Sequence, residues 1–123
     1  MLHLEFFVTP TAKRGLALRR LRAVYAIAGI ATRQRGGSGP WIYLLESKRS
    51  RGTSPSIRAS FNVRADEDLW AEVAFYPSRA NLRETIRKIW KRPDFQRVVV
   101  KTESLHPRRM RTSSVDLGRL SAS

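Results

Sequence analysis

Apolar and polar residues alternate from Leu2 to Val8, and Thr9-Pro10-Thr11 closes the run, which predicts a first β-strand. Residues 12 to 32 then repeat at helical spacing, with Leu18, Leu21, Tyr25 and Ala28 on one stripe and Arg19, Arg20 and Arg22 mostly off it. The segment "RQRGGSGP" breaks that helix, and Trp41 to Glu46 follows as a short, nearly all-apolar strand. "SKRSRGTSPS" reads as a loop, "IRASFNV" as a further irregular strand, and "RADED" as a turn. In "LWAEVAFYPSRANLRETIRKIW", Leu69, Ala71, Val73 and Phe75 share one strand face, with Trp70, Glu72, Ala74 and Tyr76 on the other. Ser78 is a good helix N-cap, Leu82, Ile86, Ile89 and Trp90 follow at helical spacing, and Pro93 stops the helix. The three valines within Gln96 to Thr102 predict a last strand.

The resulting order, β-α-β-(β)-β-α-β, is that of an α+β, ferredoxin-like β-α-β-β-α-β sandwich. Residues 1–105 form this domain, and residues 106–123 form a basic C-terminal extension, partly ordered near Met110. Two helices cover only one face of a sheet, yet these strands are apolar on both. A second copy of the chain packed sheet to sheet is the economical cover, which predicts a homodimer through the open sheet face.

A length of 123 residues suits one domain, and 41% apolar residues are enough for a core. The chain has no cysteine, which removes disulfides, thiolate catalysis and cysteine-bound zinc. "MLHLEFFVTP" lacks the pattern of a signal peptide and no run is long enough to span a membrane, so the expected location is cytoplasmic, with no membrane partner. The formal net charge of +14 attracts phosphate backbones and acidic partners alike, but its basic residues are spread along the chain rather than gathered in one block.

The segment "VRADEDLWAEVAFYPSRANLRETIRKIWKRPDF", with "HPRRM" after it, resembles the YbaA-like family of uncharacterised bacterial proteins, a domain of unknown function in the dimeric α/β-barrel superfamily. The resemblance covers mainly the second half of the chain. It implies a dimeric α/β barrel and no particular reaction.

Two constellations carry candidate chemistry. If the strands beginning at Leu2 and Leu69 are neighbours, Leu4, Phe6 and Val8 would face the helices together with Leu69, Ala71, Val73 and Phe75. His3, Glu5 and Phe7 would then stand beside Trp70, Glu72 and Tyr76 on the opposite face. His3, Glu5, Tyr43, Trp70, Glu72 and Tyr76 are thus candidates for a cleft that binds a small, partly aromatic ligand, with a buried carboxylate suited to acid–base work. The competing interpretation pairs Glu5 and Glu72 with arginines at the dimer interface. The second constellation is Arg79, Arg83, Arg87 and Lys91 at strict i, i+4 spacing, widened by Arg14, Arg19 and Arg22. It is either a solvated face or an anion-binding ridge, and the latter makes nucleic acid the alternative partner. Glu84 and Lys88 offer one favourable pair within it. His3 and His106 lack metal-ligand spacing, so no metal or other cofactor is expected, and "RGGSGP" lacks the spacing of a phosphate-binding loop. No motif specifies a catalytic residue.

Overall fold

A computed structural model describes residues 1–45 and 61–115, with side chains described through residue 108. Strand β1 (Leu2–Pro10) leads through a 3₁₀ turn into helix α1 (Arg14–Gln34), and strand β2 (Ser38–Leu45) follows. Strand β3 (Glu67–Phe75) precedes helices α2 (Arg79–Trp90) and α3 (Pro93–Val100), and after a second 3₁₀ turn the chain returns as strand β4 (Arg108–Val115). The strands form one antiparallel sheet in the order β2-β3-β1-β4. The helices pack on one side of it, giving an α+β fold. The loop expected at "SKRSRGTSPS", most of "IRASFNV" and the end of the tail lie outside the described residues.

Two sequence expectations are corrected here. Gln96 to Thr102 is not a strand: it is the body of α3 and the start of the turn after it. Pro93 occupies the start of α3, where a missing N–H is harmless, and Asp94 sits in its first turn. Phe95, Val98 and Val99 then fall at helical spacing and pack on Val24, Ala28 and Ala31 of α1. Packing on this stripe overrides the strand preference of the valine run. The sheet's fourth strand comes instead from residues 108–115, so the sheet extends into the segment expected as an extension.

The second correction concerns which face is which. The central pair keeps Glu5 opposite Glu72, Phe7 opposite Trp70 and Thr9 opposite Asp68. This face points toward the helices: Phe7 and Trp70 pack with Ala17 and Leu21 of α1, and Ala74 and Tyr76 pack with Leu82 of α2. Leu4, Phe6, Val8, Leu69, Ala71, Val73 and Phe75 therefore face away from the helices, the reverse of the expected assignment. Alternation alone could not decide between two apolar faces. What separates them is polarity, because the helix layer can answer the polar side chains. Trp70 Nε1 donates to Thr9 Oγ1 at 2.8 Å in the core. Asp68, 2% exposed, accepts from Arg14 Nε and Nη2 at 2.8 and 2.7 Å and from Thr11 Oγ1 at 3.0 Å.

Small residues let α1 sit close to its neighbours. Ala17, Ala28, Gly29 and Ala31 all belong to its buried stripe. Its C-terminus ends in a left-handed turn, with Gly36 N donating to Arg33 O and Gly37 N to Thr32 O. Gly36 has φ +84°, which glycine adopts at little cost. A Cβ on Gly37 would meet the Phe75 carbonyl at 2.7 Å and Thr32 Cγ2 at 2.8 Å, so only glycine lets this turn lie against β3. Helix α2 begins as expected, with the Ser78 hydroxyl accepting from Asn81 N at 3.0 Å.

The Asp68–Arg14 pair fastens the start of α1 to β3, and removing either half alone should destabilise the fold. Asp68→Asn is expected to lower the urea midpoint, and most of that loss should vanish in an Arg14→Ala background. Equal losses in both backgrounds would show that the pair carries no coupling. Truncating Trp70 to Ala in the same assay should cost roughly 3–5 kcal/mol.

Candidate functional site

Below the Phe7–Trp70 pair the helix layer and the sheet do not close completely. A cavity of about 210 Å³ opens between them. Its sheet wall consists of His3, Glu5, Pro40, Glu72 and Tyr76. Its helix wall is apolar and aromatic, with Val24, Tyr25 and Ala28 from α1, Ile86, Ile89 and Trp90 from α2, and Phe95 and Val99 from α3. A smaller hollow of about 80 Å³ shares Glu5, Val24, Tyr25 and Val99 with it and extends toward Thr102 and Leu105.

Each polar group is positioned by its element. Glu5 and Glu72 are register partners on antiparallel strands, so their side chains leave the sheet together on the same face. Tyr25 reaches down from the middle of α1, and its hydroxyl donates to Glu72 Oε2 at 3.0 Å. His3 Nε2 lies 3.8 Å from Glu5 Oε2, and the His3 ring meets Tyr76 edge to face with centroids 6.3 Å apart. Opposite them, Trp90 and Phe95 pack edge to face at 5.1 Å.

Electrostatics follow from this burial. Desolvation pushes the Glu72 carboxyl above its ordinary range, partly opposed by the Tyr25 hydrogen bond and by the charge of His3. Burial and the adjacent Glu72 push the Tyr25 phenol well above 10, so it remains a hydrogen-bond donor at any physiological pH. Burial raises the Tyr76 phenol as well. The site therefore combines a proton-accepting group of raised basicity, a fixed phenolic donor and a flat aromatic surface.

Of the six cleft residues expected from sequence, the fold brings His3, Glu5, Glu72 and Tyr76 together. Trp70 is on the same face but sits in the core beside Phe7, 1% exposed and outside the cavity lining. Tyr43 is on the other side of the sheet and 52% exposed. The carboxylates point at the chain's own helices, not across the open face to a partner's arginines. Sequence reasoning assigned Tyr25 to the core stripe and overlooked it as a site residue. The signal was present: a tyrosine on an otherwise apolar helical stripe needs a polar partner when buried.

The basic row lies elsewhere. Arg79, Arg83 and Arg87 of α2 and Lys91 at its C-cap are all exposed. Arg87 is bound through two nitrogens to Glu84, which holds that carboxyl down at about 2, so Glu84 serves Arg87 rather than the expected Lys88. Arg14, expected to widen the row, is tied to Asp68, while Arg19 and Arg22 are exposed. Among the described residues no cluster of His, Asp and Glu could hold a metal ion, and no helix is long and apolar enough to cross a membrane. No family model and no curated protein matches the chain.

The raised Glu72 pKa has a defined sign in stability. The folded state holds this proton above pH 4.5, the ordinary value, where the unfolded chain releases it, so the contribution of Glu72 to stability falls as pH rises from about 4.5 to its folded pKa. Glu72→Gln should match the wild type in acid and gain on it through that window, by at most about 1.4 kcal/mol per pH unit. Chemical denaturation across the pH range measures this, and a pH-independent difference would contradict a raised Glu72. In Tyr25→Phe the window should extend to higher pH, because a bond that favours the charged carboxylate is gone.

Proposed function

We propose that this chain is a ferredoxin-like α/β-barrel protein of the YbaA-like kind, acting as a cytoplasmic homodimer that binds a small, partly aromatic molecule between its helices and its sheet. The observation that carries the ligand reading is the cavity itself. Its sheet wall bears two carboxylates, an imidazole and a phenol, and a second phenol and an apolar, aromatic wall face them. Ligand sites commonly combine apolar walls with a few convergent polar groups. At about 210 Å³ the space suits a molecule of one substituted ring, since an apolar cavity of roughly 150 Å³ accepts benzene.

The strand order β2-β3-β1-β4, with β1 and β2 flanking β3 and linked through α1, supports the ferredoxin-like assignment. Dimerisation finds support on the face away from the helices. Phe61 stacks on Phe6 at 4.6 Å there, while Trp41, Tyr43 and Phe75 are 45, 52 and 38% exposed. Three large aromatic residues on adjacent strands form the kind of patch that a second subunit covers. A cytoplasmic location fits a chain without cysteine.

A second reading rests on the exposed row Arg79, Arg83 and Lys91, which could track phosphates. Its helix carries one aromatic residue, Trp90, and that ring lines the cavity instead of interleaving with the arginines as a base-stacking surface requires.

Titration with benzyl alcohol should shift the amide resonances of Tyr25, Glu72 and Tyr76, and Ala28→Leu, which fills the cavity, should weaken binding by about tenfold. Binding that is indifferent to Ala28→Leu would place the ligand elsewhere. Sedimentation should show a dimer that Trp41→Glu converts to a folded monomer. Nucleic-acid binding through the basic row would instead weaken steeply between 50 and 200 mM salt, and such behaviour with no cavity ligand would favour the second reading.

A further inference from the structure

The helix layer carries a second opening, lined by helical and capping residues alone. A groove of about 330 Å³ lies between the C-terminal ends of α1 and α2, against Ala31, Gln34, Arg35, Lys88 and Arg92. It shares no residue with the cavity that holds Glu72 or with the hollow beside it.

Arg35 is held at both ends. Its carbonyl accepts from Asn81 Nδ2 at 2.9 Å, and its Nε donates to Thr85 Oγ1 at 3.2 Å. Thr85 is fully buried, and its hydroxyl lies 3.4 Å from Asn81 Oδ1. A polar relay along α2 thus fixes the direction of the guanidinium, while both its terminal nitrogens lack a partner among the described residues. The Lys88 ammonium, one turn beyond Thr85, likewise has none among them. Arg92 gives Nε and Nη2 to Asp94 and keeps Nη1.

The nearby carboxylates are already engaged. Glu84, which senses both Arg35 and Lys88, is bound by Arg87 through two nitrogens, and Asp94 is taken by Arg92. Arg35 and Lys88 therefore leave two uncompensated positive charges at one groove. Carbonyls at the end of α1 would repel an anion, but those of Thr32, Arg33 and Arg35 already accept from Gly37 N, Gly36 N and Asn81. A phosphomonoester brings close to two negative charges and three strong acceptor oxygens, whereas a diester or a carboxylate brings one charge. Fixed arginine and mobile lysine are both good donors to such a group.

We infer that this groove binds a dianionic phosphate, the terminal group of a small phosphomonoester, between Arg35 and Lys88, with Nη1 of Arg92 as a further donor. The site is independent of the cavity and of the exposed row Arg79, Arg83 and Lys91.

Methyl phosphate, inorganic phosphate and dimethyl phosphate, each titrated into the full chain at about pH 8, test this through the amide resonances of Arg35, Lys88 and Arg92; that pH lies well above the second pKa of a monoester, about 6. Methyl phosphate should bind at least about tenfold more tightly than dimethyl phosphate. Binding of inorganic phosphate without methyl phosphate would identify the free ion as the source of the same dianion. Lys88→Gln should weaken binding about tenfold, and Arg19→Gln, which removes an equal charge far along α1, should change it by less than about twofold. Thr85→Val keeps every charge but releases Arg35, and should cost about threefold. Arg35→Gln, with a loss of about tenfold, serves if that variant does not fold. Equal binding of the diester, or equal losses in Arg19→Gln and Lys88→Gln, would overturn the site, since either marks the general field of a basic chain. Amides that stay still in every titration, or an affinity unchanged by loss of Lys88 or release of Arg35, would overturn it as well.

Discussion

Setting Glu5 opposite Glu72 on the central strands and turning both inward is the constraint on which much of this molecule depends. Antiparallel register makes the two side chains share a face, so neither can be buried without the other. The layer above must then offer polar groups at that position, and α1 does so with Tyr25. A layer of close-packed leucines there would strand two carboxylates in an apolar core, at a cost of several kcal/mol each. The same requirement keeps the helices from closing on the sheet. The cavity is where the polar requirement of the sheet and the apolar stripes of three helices fail to coincide.

The rest of the helix layer is fitted around that opening. Toward Asp68 the core closes tightly, because Phe7 and Trp70 lie nearly parallel at 6.4 Å and the tryptophan N–H is taken by Thr9. Toward the other side the chain turns out of α1 through Gly36 and Gly37, and the second of these leaves no space for a side chain against β3. Pro93 at the start of α3 swings Phe95 and Val99 across Ile89 and over the cavity. Proline, the two glycines and the alanines of α1 are thus positional devices. They determine where the helices stand, and the larger side chains fill what remains.

Much of this was legible in the residues, and the failures have physical causes. The α+β order, the Ser78 cap and the course of β1, α1, β3 and α2 follow from periodicity and turn chemistry, which are local. Valines 98–100 misled because β-branched residues favour strands only when packing agrees, and here Phe95, Val98 and Val99 find a helical groove on α1. The fourth strand was hidden in "RRMRTSSV", whose pairing with β1 is a long-range fact that no local pattern announces. Of the site, His3, Glu5, Glu72 and Tyr76 could be grouped correctly because alternation puts them on one face. Which way that face points could not be read, because both faces are apolar and the deciding partner, Tyr25, lies on another element.

Polarity within the sheet also bears on the charge of +14. Arg79, Arg83, Arg87 and Lys91 are exposed, and Arg14 is taken by Asp68. Exposed charges act over only about 8 Å at physiological ionic strength. In a poorly solvated space close groups outweigh distant ones, because low dielectric strengthens near interactions. Glu72 is accordingly answered by its immediate surroundings, the Tyr25 hydroxyl and the charge of His3, and its raised pKa records that burial outweighs both.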